Sequence, residues 1–168
     1  MKKLNIILLL IIFLFQANGF TQESNSILDS REESLNKYWA DLAEAAKEGN
    51  FEGMKSLYHQ DAVVVKPDTT FAVSRAFKVR WKKEILEVKN GKRANTLAFR
   101  FSKRIEDDNT AFEKGIYHYT SVDAATGNVI EDAYIHFETL LVKVNDRWVT
   151  LMEYQQEEAT ETEWNALK

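Results

Sequence analysis

Three runs rich in β-branched and aromatic residues, over 110–122, 129–144 and 147–156, follow one another almost without interruption. Runs of this kind read as strands. The breaks between them, Asp123-Ala124-Ala125-Thr126-Gly127-Asn128 and Asn145-Asp146, are built of turn-forming residues and leave room only for hairpins. A fourth run, 95–106, alternates, with Leu97, Phe99, Phe101 and Ile105 on one side and Ala98, Arg100, Ser102 and Arg104 on the other. That is the pattern of a half-buried strand. An antiparallel sheet of this size has an apolar face that needs a cover. The residues before it supply helices, so the expected class is α+β in one domain.

The N-terminus reads as a targeting segment. Lys2 and Lys3 precede an apolar run over 4–15, and Ala17-Asn18-Gly19 offers small residues for cleavage. The run is shorter than the ~20 apolar residues of a membrane span, so a signal peptide over 1–19 is expected, with an exported product, periplasmic or secreted, starting near Phe20. Residues 20–29 form a polar leader, 30–157 the domain and 158–168 an acidic, loosely held tail. The chain has no cysteine and a net charge of −4, and removing the two leader lysines makes it more acidic. Disulfides and thiolate metal sites are excluded. Nucleic acid and, after cleavage, membrane are not expected partners.

In the helical part, Ser30-Arg31-Glu32-Glu33 fits a capping box. Leu35, Tyr38, Trp39, Leu42, Ala43 and Ala46 make the inner stripe of a first helix that Gly49-Asn50 ends. Phe51, Met54, Leu57 and Tyr58 suit a second, short helix. A short strand over 62–65 stops at Pro67, and 71–73 reads as a brief return. Ser74 caps a third helix carrying Phe77, Trp81, Ile85 and Val88 to Asn90-Gly91.

This order, helix, short helix, short strand, helix and four long strands, resembles the nuclear transport factor 2-like family, in its exported SnoaL-like and calcium/calmodulin-kinase-association-like branch. The residues that carry the resemblance are Trp39-Ala40 with Glu48-Gly49-Asn50-Phe51, then 57–63 (LYHQDAV), 108–117 (DNTAFEKGIY) and 143–148 (KVNDRW). The resemblance implies a cone: a curved antiparallel sheet wrapped around the helices, a pocket at the wide end, and commonly a homodimer. It also turns Ala111, Glu113, Gly115 and Tyr117 inward.

Facing in the last strand depends on its turn, because a one-residue slip exchanges the faces. In 129–144 the apolar set is Ala133, Ile135, Phe137, Thr139 and Leu141, with Tyr134, His136 and Glu138 opposite. A two-residue turn at Asn145-Asp146 pairs Val144 with Arg147. A bulged turn pairs Lys143 with Arg147 and turns Val149, Leu151, Glu153 and Gln155 inward. The family hairpin has glycine where Asp146 stands, which favours the bulge.

On that register the expected pocket is lined from the helical side by Trp39, Leu42, Tyr58 and Trp81. The sheet adds Glu113, Tyr117, Phe137 and Thr139, and the last strand Leu151, Glu153 and Gln155. Glu113 and Glu153 are the candidate catalytic pair, since two carboxyls in one apolar pocket titrate apart and divide acid and base roles. The alternative is a wet pocket mouth without chemistry. The aromatic helix residues suit a planar ligand and plain core equally. Ketosteroid isomerases, of the same fold, place their general base just before the proline that ends the first strand. Here that residue is Lys66. Their two oxyanion donors fall at Leu42 and about Thr139, so that activity does not transfer. His59, His118 and His136 share no metal-binding spacing, and neither metal nor cofactor is expected. Phe112, Ile116, Leu140, Met152 and Tyr154 face outward and form the expected dimer surface. The function expected first is an exported protein binding a small, partly apolar molecule without catalysis. The alternatives are an acid–base enzyme (isomerisation, dehydration or hydrolysis) and a dimeric interaction module.

Overall fold

The computed structural model describes residues 30–79 and 81–167, so the expected signal peptide and leader lie outside the described residues. Helix α1 occupies 30–48, and the compact unit that carries the site begins at Leu35. Its buried stripe is Leu35, Tyr38, Trp39, Leu42 and Ala46, with Ala45 buried where Ala43 was expected. Gly49 ends α1 for two reasons. Its φ of 67° is left-handed, and a Cβ there would lie 2.4 Å from the backbone nitrogen of Lys89. Asn50 then caps α2 (Phe51–Ser56), its side chain accepting from the Gly53 amide at 2.9 Å.

Strand β1 (Tyr58–Lys66) is longer than expected and starts at Tyr58, which the sequence pattern assigned to a helix. Pro67 ends it, and β2 (Thr69–Ala72) folds back on it. Helices α3 (Val73–Val79) and α4 (Trp81–Lys89) occupy the expected third-helix region on either side of Arg80, which is not described. The long strands follow: β3 (Arg93–Glu106), β4 (Thr110–Asp123), β5 (Val129–Val144) and β6 (Arg147–Glu158). The sheet order is β2-β1-β6-β5-β4-β3, antiparallel except where β1 meets β6. The fold is α+β, with the helices packed against a six-stranded sheet. Among the described residues no helix is long and apolar enough to cross a membrane.

Two bulges change the facing that alternation predicts. In β3, Phe101 pairs with Gly115 but Lys103 pairs with Lys114, so Ser102 is an extra residue. Beyond it Arg104 turns inward opposite Glu113, and Ile105 turns out, 52% exposed. Alternation alone puts both on the other face. The bulge also brings β3 close to β4: a Cβ on Gly115 would lie 2.0 Å from the Arg100 carbonyl oxygen.

The β5–β6 turn is the two-residue form rather than the bulged one. Asn145 and Asp146 have φ of 51° and 58°, and Val144 pairs with Arg147. Asparagine and aspartate tolerate the left-handed region better than other non-glycine residues, so no glycine is required. This register buries Trp148 and Thr150 on the inner face, with Thr150 Oγ1 2.6 Å from the Tyr38 hydroxyl, and leaves Val149 on the other side. A second bulge follows, since Leu140 pairs with Met152 and Leu141 with Thr150. Leu151 is the extra residue, and Glu153 and Gln155 return to the inner face.

The C-terminal residues are not a loose tail. Thr160 and Glu163 form a capping box that opens α5 (Glu161–Ala166). Trp164 is buried against the outer sheet face, with the Arg100 guanidinium 4.4 Å from its ring centre and the rings of His118 and Tyr134 alongside. Arg100 Nη1 donates to the Trp164 carbonyl at 2.9 Å. The sequence pattern missed this because one tryptophan in an acidic segment has no periodicity.

Candidate functional site

A cavity of about 790 Å³ opens between the helices and the inner face of the sheet. That volume suits a drug-sized ligand. Its walls are two aromatic groups. Trp39 packs on Phe99 and Phe137 at ring-centre distances of 4.4 and 5.5 Å, and Tyr117 closes this side. On the other, Trp81 packs on Tyr58 and Phe77 at 5.8 and 5.2 Å. Tyr58 and Trp81 remain half-buried and line the cavity, whereas Phe77 belongs to the core.

One polar cluster faces this space. Glu153 lies between Thr139 of β5 and Val64 of β1. The Tyr58 hydroxyl donates to its Oε2 at 2.8 Å, and Gln155 Nε2 donates to Oε1 at 2.6 Å. Burial pushes the Glu153 carboxyl above the ordinary glutamate range, against the pull of Gln155, Tyr58 and the Lys66 charge. Burial and the neighbouring carboxylate likewise push the Tyr58 phenol well up. The cluster therefore keeps a proton to a higher pH than free carboxyls do, inside an apolar cavity.

No family model matches the sequence, and no curated protein does. Solved structures do match. A nuclear transport factor 2-like superfamily protein from Salmonella enterica covers 80% of this chain and 95% of its own, at 11% identity and a TM-score of 0.62. A candidate calcium/calmodulin-dependent kinase II association domain from Exiguobacterium sibiricum covers 77% and 94%, at 12% identity and a TM-score of 0.58. A ketosteroid isomerase-like protein from Erwinia carotovora covers 76% and 95%, at 17% identity and a TM-score of 0.50. The chain has the nuclear transport factor 2-like fold. The cavity expected of that fold, at the junction of helices and sheet, is present.

Trp39, Leu42, Tyr58 and Trp81 line the cavity from the helical side, and Tyr117, Phe137, Thr139, Glu153 and Gln155 from the sheet. Glu153 reaches this face by a different route from the one expected, through the bulge at Leu151 rather than at the turn. Leu151 itself does not line the cavity, because it is the bulge's extra residue.

Glu113 does not line it either. It is fully buried, and both its oxygens are taken: Arg104 Nε donates to Oε1 at 2.5 Å and the indole N–H of Trp39 donates to Oε2. Arg104 Nη1 also holds Asn36 Oδ1 at 2.6 Å. Burial pushes the Glu113 carboxyl up, and Arg104 and Trp39 pull it back. A carboxylate with a cation and two donors is a strut, so Glu113 and Glu153 are not a catalytic pair. The Lys66, Leu42 and Thr139 positions, where ketosteroid isomerases carry their chemistry, do line the cavity.

Alternation missed Asn95 and Glu131, which also face the cavity. Both were legible: Asn95 precedes Leu97 by two, and Glu131 precedes Ala133 by two, on the apolar sets already identified. Arg75 carried no signal, since its place depends on where α3 starts.

On the outer face Ile116 is only 2% exposed. Its neighbours in register are Arg100 and His136. Arg100 holds α5, and His136 faces Glu163 of α5 at 3.5 Å, so α5 roofs Ile116. It is withdrawn from the expected dimer surface. Phe112, Leu140, Met152 and Tyr154 stay partly exposed.

Proposed function

We propose that this chain is an exported, non-catalytic protein that holds a small, partly apolar molecule in the cavity. The observation that carries the reading is the cavity itself: two aromatic walls enclosing a space with one protonatable cluster, the usual composition of a ligand pocket. The neutral fluorophore 1-aminoanthracene tests it. Its emission should rise on binding, and Ala133→Trp, which fills the space from a half-buried lining position, should abolish that rise. A wild type that leaves the dye dark, or a rise that Ala133→Trp leaves intact, would refute the reading. Export is read from the leader sequence, and intact mass of the recovered protein tests it: retention of residues 1–19 would count against it.

A second reading is favoured by Glu153 alone. A carboxyl kept protonated next to a tyrosine can pass a proton to a bound substrate. If Glu153→Gln abolishes a turnover found by substrate screening, this reading displaces the first. A homodimer is part of the proposal as well. Val63, Met152, Leu140, Phe112 and Ile105 lie in one cross-strand row on the outer face. That stripe suits a second copy, and Phe112→Asp should then yield a monomer in sedimentation.

A further inference from the structure

The polar groups of the cavity wall are sorted along its length, and matching an occupant to them rests on the ligand-binding reading. At one rim the β1–β2 hairpin and the start of α3 bring Lys66 and Arg75 to the wall. Among the described residues neither cation makes a hydrogen bond or ion pair. At the other end Asn95, Ser121 and Glu131 stand in one cross-strand row of β3, β4 and β5. Glu84 and Glu131 are close enough there to raise the Tyr119 phenol, and each has an interaction within the protein. Asn95 differs: it is 6% exposed, it lines the cavity, and its Oδ1 has no hydrogen-bond partner. A buried amide oxygen left without a donor is a standing cost, which a ligand N–H or O–H would remove.

The separation of the two ends follows from register. Val64 pairs with Glu153, so Lys66 stands level with Gln155, which pairs with Phe137. Phe137 to Glu131 is six residues along β5, about 20 Å at most, and curvature shortens it. Between the ends the wall is Phe99, Tyr117 and Ile135, with Glu153 held by Tyr58 and Gln155. Three glutamates on the same wall disfavour a multiply charged anion.

The geometry points to an elongated amphiphilic monocarboxylic acid as the occupant, its carboxylate against Lys66 and Arg75 and a hydroxyl at its far end donating to Asn95. The apolar body lies between the aromatic walls.

Displacement of 1-aminoanthracene from the protein recovered after expression of the full sequence tests this with three matched probes: 12-hydroxydodecanoate, dodecanoate and 1,12-dodecanediol. The hydroxy acid should bind about tenfold more tightly than dodecanoate, within the range a single rescued buried acceptor supplies. It should also outbind the diol. Asn95→Ala should erase the first preference and keep the second. Lys66→Met with Arg75→Met should do the reverse. Should Asn95→Ala fail to fold, Asn95→Leu, apolar and of similar shape, serves instead. A general loosening of the fold would weaken all three probes alike and leave both ratios unchanged, and that result overturns the assignment. Equal affinity for the three probes overturns it too. If the dye binds and no probe displaces it, the amphiphilic-acid assignment fails while the ligand pocket stands. If the dye itself does not bind, both fall.

Discussion

Replacing Arg104 with methionine should cost far more stability than neutralising its partner, and the cost should depend on pH. The Arg104 side chain is 19% exposed and Glu113 is 0% exposed. Arg104→Met keeps the alkyl stem that lies on the Phe101 ring but strands a buried carboxylate on the indole N–H of Trp39. Breaking a buried pair from this side costs about 3–5 kcal/mol, a large share of the ~5–15 kcal/mol that holds a domain folded. Glu113→Gln removes the charge that needs the cation and leaves Arg104 partly in water, so about 1–2 kcal/mol is expected. With both replaced, no unpaired charge remains, and the double variant should be more stable than Arg104→Met alone. The pH sign follows from burial. Without Arg104 the Glu113 carboxyl titrates above its unfolded value, so the folded chain holds the extra proton. The penalty should be small below the ordinary glutamate pKa of 4.5 and grow as pH rises through the raised value. Urea unfolding at pH 5 and pH 8, with slopes checked for constancy, measures both effects. An Arg104→Met cost at pH 8 no larger than that of Glu113→Gln would refute the strut.

Glu153 should show the same sign in the wild type. Its raised pKa means that stability contributed by the protonated form is present at low pH and lost as pH climbs from the ordinary glutamate range through the raised value. Glu153→Gln, which mimics the protonated carboxyl, should flatten that part of the stability profile; a constant offset across pH would contradict it. Trp164→Ala should undock α5 at a cost of about 2 kcal/mol and open the C-terminal residues to limited proteolysis while 1-aminoanthracene binding persists; unchanged protease resistance would count against the roof. Gly115→Ala should cost about 1–3 kcal/mol as β3 is forced away from β4, measured by the shift in urea midpoint.

Most of the fold was legible because it is written in local patterns. The stripe from Leu35 to Ala46, the Gly49-Asn50 stop and the Asp123–Asn128 loop each announce themselves within a few residues. The inner face of β5 was legible for the same reason. What was not legible depends on pairing between strands. Nothing around Ser102 marks a bulge; the sign is on the neighbouring strand, where Gly115 makes room for the Arg100 carbonyl. Arg104 thus reads as a surface residue until β3 and β4 are aligned. Glu153 reads as inward from the sequence through an incorrect turn, two displacements of one residue cancelling. Docking of α5 rests on Arg100, His118 and Tyr134, all distant in sequence from Trp164.

The bulges at Ser102 and Leu151 behave as parity switches in a two-state code. Each extra residue inverts the odd–even assignment of everything after it in its strand, so Arg104 and Glu153 owe their inward facing to a count rather than to their identity. Deleting Ser102 would exchange Arg104 for Ile105 at the buried site opposite Glu113 without altering another letter. Chains of this fold that differ only in the presence of such an insertion would place homologous letters on opposite faces. Equivalent site positions in distant relatives should therefore be matched by cross-strand partner, Arg104 by Glu113 and Glu153 by Thr139, with a gap allowed at each bulge.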